Sequence, residues 1–215
     1  MDLFEVVRDL HRHRPWRGHS SRLLARNFQA YLAEQHASLI QTTPLLADLL
    51  AYECTGLEVY LAPDIEHRPM SREGFDHLLT LDVGELLAIN VAMPSYAAIH
   101  TFTFDLKSLG DHWKQHDVLP EAWPSPQATT MVCGRHFHSL AAIWMPLDEG
   151  QHRTLTELPR DQTFTLNDLA AVYLEQCAAA DSDPATQQDE QAMFDAFFAF
   201  LIRCLESGVL LQRDA

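Results

Sequence analysis

The spacing of apolar residues changes along this chain from a helical pattern to an extended pattern and back again. In residues 3–63 apolar side chains recur every three or four positions, which predicts three helices that each bury one face. Thr43 followed by Pro44 favours a helix start, because proline loses nothing by lacking an N–H in the first turn. The apolar run at 86–93 and the alternating run at 101–104 lack helical gaps and predict strands. The chain must therefore combine helices with a sheet.

The C-terminal part shows the same change of pattern. The predicted elements are strands at 129–137 and 139–147, helices at 149–158 and 165–177, and a closing strand at 209–212. A third helix carries Phe194 and Leu205 on one side and ends at Gly208, since glycine readily ends helices. A strand pair followed by three helices predicts a winged-helix-like module.

These patterns together predict an α+β protein with three parts. An N-terminal helical domain spans residues 1–63, and middle strands with a linker span residues 64–126. A short amphipathic helix is expected at 105–116, and the stretch 120–126, which holds three prolines, predicts a loop at a boundary. A winged-helix-like recognition domain spans residues 127–215.

The charge balance argues against nucleic-acid binding. The chain has 30 acidic and 15 basic residues, a formal net charge of −15, and such a surface repels phosphate backbones. The predicted helix at 165–177 contains no Lys or Arg and carries Asp168 and Glu175. A winged-helix regulator would need a basic helix at this place, so this alternative function is disfavoured.

The N-terminus and the cysteines indicate a soluble, cytoplasmic protein. The first residues lack the apolar core and the cleavage site of a signal peptide, and no apolar run reaches membrane-spanning length. Cys54, Cys133, Cys177 and Cys204 lie far apart in sequence without a close pair. This spacing disfavours a disulfide framework or a zinc knuckle.

The 12 histidines suggest a second alternative, a metal-dependent enzyme. His136 and His138 flank Phe137, and on a strand they would share a face as half of a zinc or iron site. A single pair of this kind beside a turn is not specific, and solvated or hydrogen-bonded histidines are the favoured explanation. Because the common hydrolase, metalloprotease, EF-hand and P-loop motifs are absent, no catalytic residue and no metal ligand is assigned.

Glu53 is the acidic residue most closely associated with a predicted apolar helix face. Leu49 and Leu57 lie four residues to either side, so the carboxylate falls within or beside the apolar stripe. A buried carboxylate needs a partner, which predicts pairing with Arg22 or Arg26 of the preceding helix. Contact with a partner protein is the other interpretation.

The last helix and the second strand of the predicted pair supply a candidate binding groove. The phenylalanines between 194 and 200 cannot all share one narrow helix face, so they either pack entirely in the core or partly line a groove beside the strand. An extended peptide could pair with the sheet edge there and place apolar side chains against the helix. The predicted peptide-binding residues are Leu140, Ala142 and Trp144 of the strand, with Phe197 and Leu201 of the helix opposite them.

Several motifs resemble one family. The stretches SSRLLARNFQAYL, PLLADLLAYE and LEVYLAPD resemble the helical domain of HvfC/BufC-like proteins, and LLAINVAMPSYAAIHTFTF resembles their middle strands. These proteins are partner subunits of TIM-barrel, multinuclear non-haem iron enzymes that act on peptides. The C-terminal half is similar in layout to peptide-recognition modules of the PqqD type. In size and layout the chain is similar to partner subunits of the MbnC/TglI type, and these features favour the TglI-like form.

The resemblance implies a division of labour between two subunits. Iron and the oxidative chemistry at a peptide cysteine would belong to the barrel enzyme, so this chain would hold no cofactor. The chain would bind the leader of a ribosomally made precursor peptide and present its cysteine, in a heterodimer with that enzyme. The helical domain and the middle strands, including the surroundings of Glu53, would form the partner interface.

Overall fold

The computed structural model describes residue 12 and residues 21–63, 71–116, 125–180 and 190–213. The predicted first helix near residues 3–10 lies outside these residues. So does most of the predicted proline-rich loop at 120–126.

The N-terminal part consists of α1 (Ser21–Gln35), α2 (Ala37–Thr42) and α3 (Pro44–Tyr60). Pro44 occupies the first turn of α3, as predicted. Tyr31 and Leu32 of α1 are almost fully buried because α1 packs against α2 and α3. The short helix α2 was not predicted as a separate element.

The middle part contains α4 (Arg72–Leu78), α5 (Val83–Leu87), β1 (Asn90–Ala92), β2 (Ala98–Phe102) and α6 (Leu106–His116). The predicted strand at 86–93 is wrong in its first half. Asp82 and Glu85 form a capping box that starts α5, so the apolar residues that follow are helical and the strand begins at Asn90. The strand predicted at 101–104 also begins and ends earlier than expected.

The C-terminal part contains β3 (Thr129–Arg135), β4 (Ala142–Leu147), α7 (Glu149–Glu157), β5 (Thr163–Thr165), α8 (Leu166–Ala180), α9 (Glu190–Glu206) and β6 (Leu211–Gln212). The predicted strand pair, three helices and closing strand are confirmed, and Gly208 follows α9 with a φ of 66°. Asp148 and Gln151 form a capping box that fixes the start of α7. The three-residue strand β5 was not predicted.

Two small antiparallel sheets connect the middle and C-terminal parts. The strand orders are β5-β1-β6 and β2-β3-β4. Each sheet therefore combines one strand from residues before the predicted boundary at 126 with two strands from residues after it. The α+β class is confirmed.

The sheet β2-β3-β4 separates two groups of buried side chains. The side chains of β4 point alternately to the two faces of the sheet. Met145 and Leu147 point into the main core, to which α7, α8 and α9 also contribute side chains. Trp144 points to the other face, where α3 and α6 contribute a smaller cluster around Phe102 and Met131. In the part of the chain that the structure describes, no helix combines the length and apolar character needed to cross a bilayer.

Candidate functional site

The outer edge of β4 borders a groove at the C-terminal end of α9. Within the described residues β4 pairs with β3 alone, so its second edge is not hydrogen-bonded to another strand. The groove has a volume of about 380 Å³. It is lined by Lys107, His136, Ile143, Trp144, Met145, Pro146, Arg203, Glu206 and Ser207. We call it the β4 groove.

The register of the hairpin determines which main-chain groups of β4 point into this groove. The N–H of His136 donates to the carbonyl of Ala141 at 2.9 Å, and bonded and non-bonded pairs alternate from there along an antiparallel ladder. This alternation directs the main-chain groups of Ala142, Trp144 and Pro146 away from β3. Pro146 has no N–H, so the edge offers two donors, from Ala142 and Trp144.

Polar side chains of α9 and α6 form the opposite wall of the β4 groove. The Arg203 Nη2 donates to the Gln151 Oε1 at 3.3 Å, and the Lys107 Nζ pairs with the Asp111 Oδ2 at 2.7 Å. Glu206 is exposed beside them. The groove therefore has a polar rim with charges of both signs above an apolar strand.

His136 lies in the loop between β3 and β4 and not on a strand, so the prediction that it shares a strand face with His138 is wrong. Its Nδ1 accepts hydrogen bonds from the N–H of His138 at 3.3 Å and from the N–H of Ser139 at 3.0 Å. One ring nitrogen is thus committed to holding the loop. Among the described residues, no three His, Cys, Asp or Glu side chains lie close enough together to hold a metal ion.

The side chains of Ala142 and Trp144 lie against α3. The Trp144 ring stacks on Tyr52 with a centroid distance of 4.7 Å and an interplanar angle of 16°. A Cβ added at Gly56 would lie 3.5 Å from the Trp144 Nε1 and 3.9 Å from the Ala142 Cβ, which are ordinary contact distances, so α3 packs directly on both side chains. Burial, together with the nearby Glu53, raises the pKa of Tyr52 to about 12. Of these two predicted binding residues, Trp144 lines the β4 groove, whereas Ala142 precedes the first strand residue that lines it, Ile143.

Phe197 and Leu201 lie in the main core and do not face Trp144 across one groove. Their exposed fractions are 3% and 0%, and the Phe197 ring packs against Tyr173 at 5.3 Å between centroids. Leu140, predicted on the strand, is in the preceding loop with a φ of 58°. The strand β4 does lie at a sheet edge. The residues opposite it are not Phe197 and Leu201 but residues one to two turns further along the chain, beginning with Arg203.

Glu53 is exposed on α3 and does not lie within its buried stripe. Arg26, one of its two predicted partners, forms an ion pair with Glu58 instead. The side chain of Arg22, the other predicted partner, lies outside the described part of the structure. The predicted burial is wrong, because the buried residues of α3 are Leu45, Cys54 and Val59 and do not include Glu53.

Arg203, Glu206 and Ser207 were not predicted as site residues. The sequence did contain one signal that β4 is an edge strand. Proline inside a strand is found almost only on edge strands, and Pro146 lies inside β4.

Neither a search against models of known protein families nor a search of curated proteins found a match to this chain.

Proposed function

We propose that this chain is a non-catalytic partner subunit of a TIM-barrel non-haem iron enzyme. In this proposal it binds the leader of a ribosomally made precursor peptide in the β4 groove and presents the peptide's cysteine to that enzyme. The observation that carries the proposal is the open edge of β4, which faces the end of α9 across a cavity of about 380 Å³.

The order of elements supports a winged-helix-like peptide-recognition module. A three-stranded antiparallel sheet, β2-β3-β4, is followed along the chain by α7, α8 and α9. The last strand is at the edge, and the last helix borders that edge. This arrangement provides a strand for main-chain pairing and a helix for side-chain contacts, which are the two parts that strand addition requires.

The β4 groove suits a short extended segment. A peptide strand beside β4 would receive hydrogen bonds from the N–H groups of Ala142 and Trp144, and Pro146 would end the run of donors. The polar rim of Arg203, Glu206 and Lys107 would contact side chains of the peptide. The main chain would supply affinity, and the rim would supply selectivity.

The benefit of such binding is a higher local concentration of the substrate cysteine. A leader held on this chain converts the encounter between cysteine and iron enzyme into an intramolecular event, with effective concentrations of about millimolar for short flexible connections. The proposal places iron and its oxidative chemistry in the partner subunit. No residue of this chain is assigned as an iron ligand.

An N-methyl scan of the peptide tests the proposed strand addition without changing the protein. The probes are synthetic leader segments of whichever short cysteine-containing peptides the genes flanking this one encode, and affinity is measured by titration calorimetry. Methylation removes one main-chain donor at a time, so binding by strand addition predicts losses of about tenfold at every second position. Losses without this period of two, or no binding by any encoded leader, would overturn the proposal.

Two protein variants locate the binding edge. Ala142→Pro removes a donor that points away from β3, so the hairpin keeps its ladder while leader affinity falls at least about tenfold. Pro146→Ala is the matched control, because it adds a donor at the same edge and should leave affinity equal or higher. If both variants bind the leader like the original chain, the β4 groove is not the binding site.

A further inference from the structure

A second groove lies between α8 and the first half of α9, on a different surface from the β4 groove. Its volume is about 520 Å³, within the range of about 300–1,000 Å³ that is usual for binding pockets. It is lined by Leu87, Asn167, Ala170, Ala171, Leu174, Met193, Phe194 and Phe197. We call it the α8–α9 groove.

Large apolar side chains at this groove remain exposed to solvent. Leu174 is 42% exposed and Phe194 is 39% exposed. Phe194 packs against Phe198 with a centroid distance of 4.4 Å, so its ring is held at the surface by a neighbour on the same helix. Val83 of α5, one helical turn before Leu87, is also 46% exposed. Exposed apolar side chains such as Leu174 and Phe194 in one groove are typical of an interaction site.

The two helices that bound the groove carry more acidic than basic residues. Asp168 and Glu175 are exposed on α8, which contains no Lys or Arg, and Asp195 is exposed on α9. The single basic residue of α9, Arg203, lies at the β4 groove instead. An apolar floor between acidic helices complements a ligand with an apolar face and basic flanks.

We propose that the α8–α9 groove docks a basic amphipathic helix of a partner protein. The small residues Ala170 and Ala171 let a large apolar side chain of that helix descend between α8 and α9, where Leu174 and Phe194 contact it. The described lining residues all belong to the helices α5, α8 and α9, which favours a helix over an extended segment as the occupant. This docking does not depend on peptide binding at the β4 groove.

A designed helix provides the probe. It is about 16 residues long, with Leu at i, i+3, i+4 and i+7 positions and Lys elsewhere, and a second version replaces every Lys with Glu. Binding to the full chain is followed by fluorescence anisotropy, and backbone hydrogen exchange maps the contact. The Lys helix should bind saturably and slow exchange in α8 and α9, whereas the Glu helix should bind at least about tenfold more weakly.

Surface variants connect this binding to the groove. Phe194→Ala and Leu174→Ser should each weaken binding of the Lys helix at least about tenfold, and Glu175→Lys should weaken it while lowering its salt dependence. Leu61→Ser is the matched control, because Leu61 is 38% exposed at the end of α3, and this variant should bind normally. All are exposed positions, and a thermal unfolding scan checks that each variant is folded.

Three results would overturn the inference. The first is equal loss of binding in the Leu61→Ser variant, and the second is exchange protection outside α8 and α9. The third is concentration-dependent dimerisation of the chain alone that Phe194→Ala abolishes, since the occupant would then be a second copy. Sedimentation velocity at several concentrations separates this case from docking of a partner helix.

Discussion

Tyr52 of α3 stacks on Trp144 of β4, with ring centroids 4.7 Å apart and ring planes inclined by 16°. The pair joins the N-terminal helices to the face of the sheet opposite the main core. Phe102 completes the contact edge-on to Trp144 at 5.3 Å between centroids. The N-terminal helices are therefore anchored to the strand whose edge borders the β4 groove.

Removing this stack should destabilise the whole chain. We expect Trp144→Ala to lower the free energy of unfolding by about 2–3 kcal/mol, because the ring is partly buried and leaves a cavity against α3. In a double-mutant cycle with Tyr52→Ala, the coupling should be about 1 kcal/mol, as is typical of aromatic pairs. Urea unfolding measures both values. Trp144→Phe is the control, with a loss below about 1.5 kcal/mol, and strictly additive single losses would contradict the contact.

Gly208 ends α9 with a φ of 66°, and a Cβ at this position would collide with the carbonyl oxygen of Arg135. We therefore expect Gly208→Ala to cost at least about 2 kcal/mol of stability, from left-handed backbone strain and the collision together. Gly110 of α6 has nothing within 4 Å of such a Cβ. Gly110→Ala should instead stabilise the chain by about 0.5–1 kcal/mol. Thermal unfolding of both variants provides the comparison, and equal effects would contradict it.

Elements with a local chemical signal were predictable from the sequence. Pro44 at the start of α3, Gly208 after α9 and the apolar spacing of α6 each act within a few residues of the element they define. The strand β5 was missed because its three residues are extended only through pairing with β1, which lies more than 70 residues earlier. α5 was missed because the capping signal of Asp82 and Glu85 preceded an apolar run that also suits a strand.

The candidate site could be predicted in part for a similar reason. The edge position of β4 follows from local pattern and from Pro146. The identity of the opposite wall does not, because it depends on which face of β4 each element covers. Alternation fixes that Trp144 and Met145 point to opposite faces, but only the fold determines that α3 covers Trp144.

Asp48 of α3 links this helix to the chain after β2. Its Oδ2 accepts hydrogen bonds from the N–H groups of Thr103 at 2.6 Å and Phe104 at 3.0 Å. Asp48→Ala should lower stability by about 1–3 kcal/mol, because two main-chain donors then lose a charged acceptor. Asp48→Asn keeps an oxygen acceptor and should lose less. Native-state hydrogen exchange at Phe104 should be faster in the Ala variant, and unchanged exchange there would contradict the role.

His100 of β2 should make stability depend on pH. Its Nε2 lies 3.1 Å from the hydroxyl of Thr55, and burial lowers the pKa of His100 below its ordinary value of 6.5. The folded state thus favours the neutral ring. The unfolded chain binds a proton more readily, so the stability contribution is complete above the unfolded pKa and is lost as pH falls through it towards the folded pKa.

The matched variant His100→Gln keeps a hydrogen-bonding group towards Thr55 but does not titrate. Urea midpoints at about pH 7.5 and about pH 5.5, on either side of the ordinary histidine pKa, give the loss of stability for each protein. The loss should be smaller in the variant, because the other 11 histidines titrate in both proteins and cancel in the difference. An equal loss in the two proteins would show that protonation of His100 does not oppose folding.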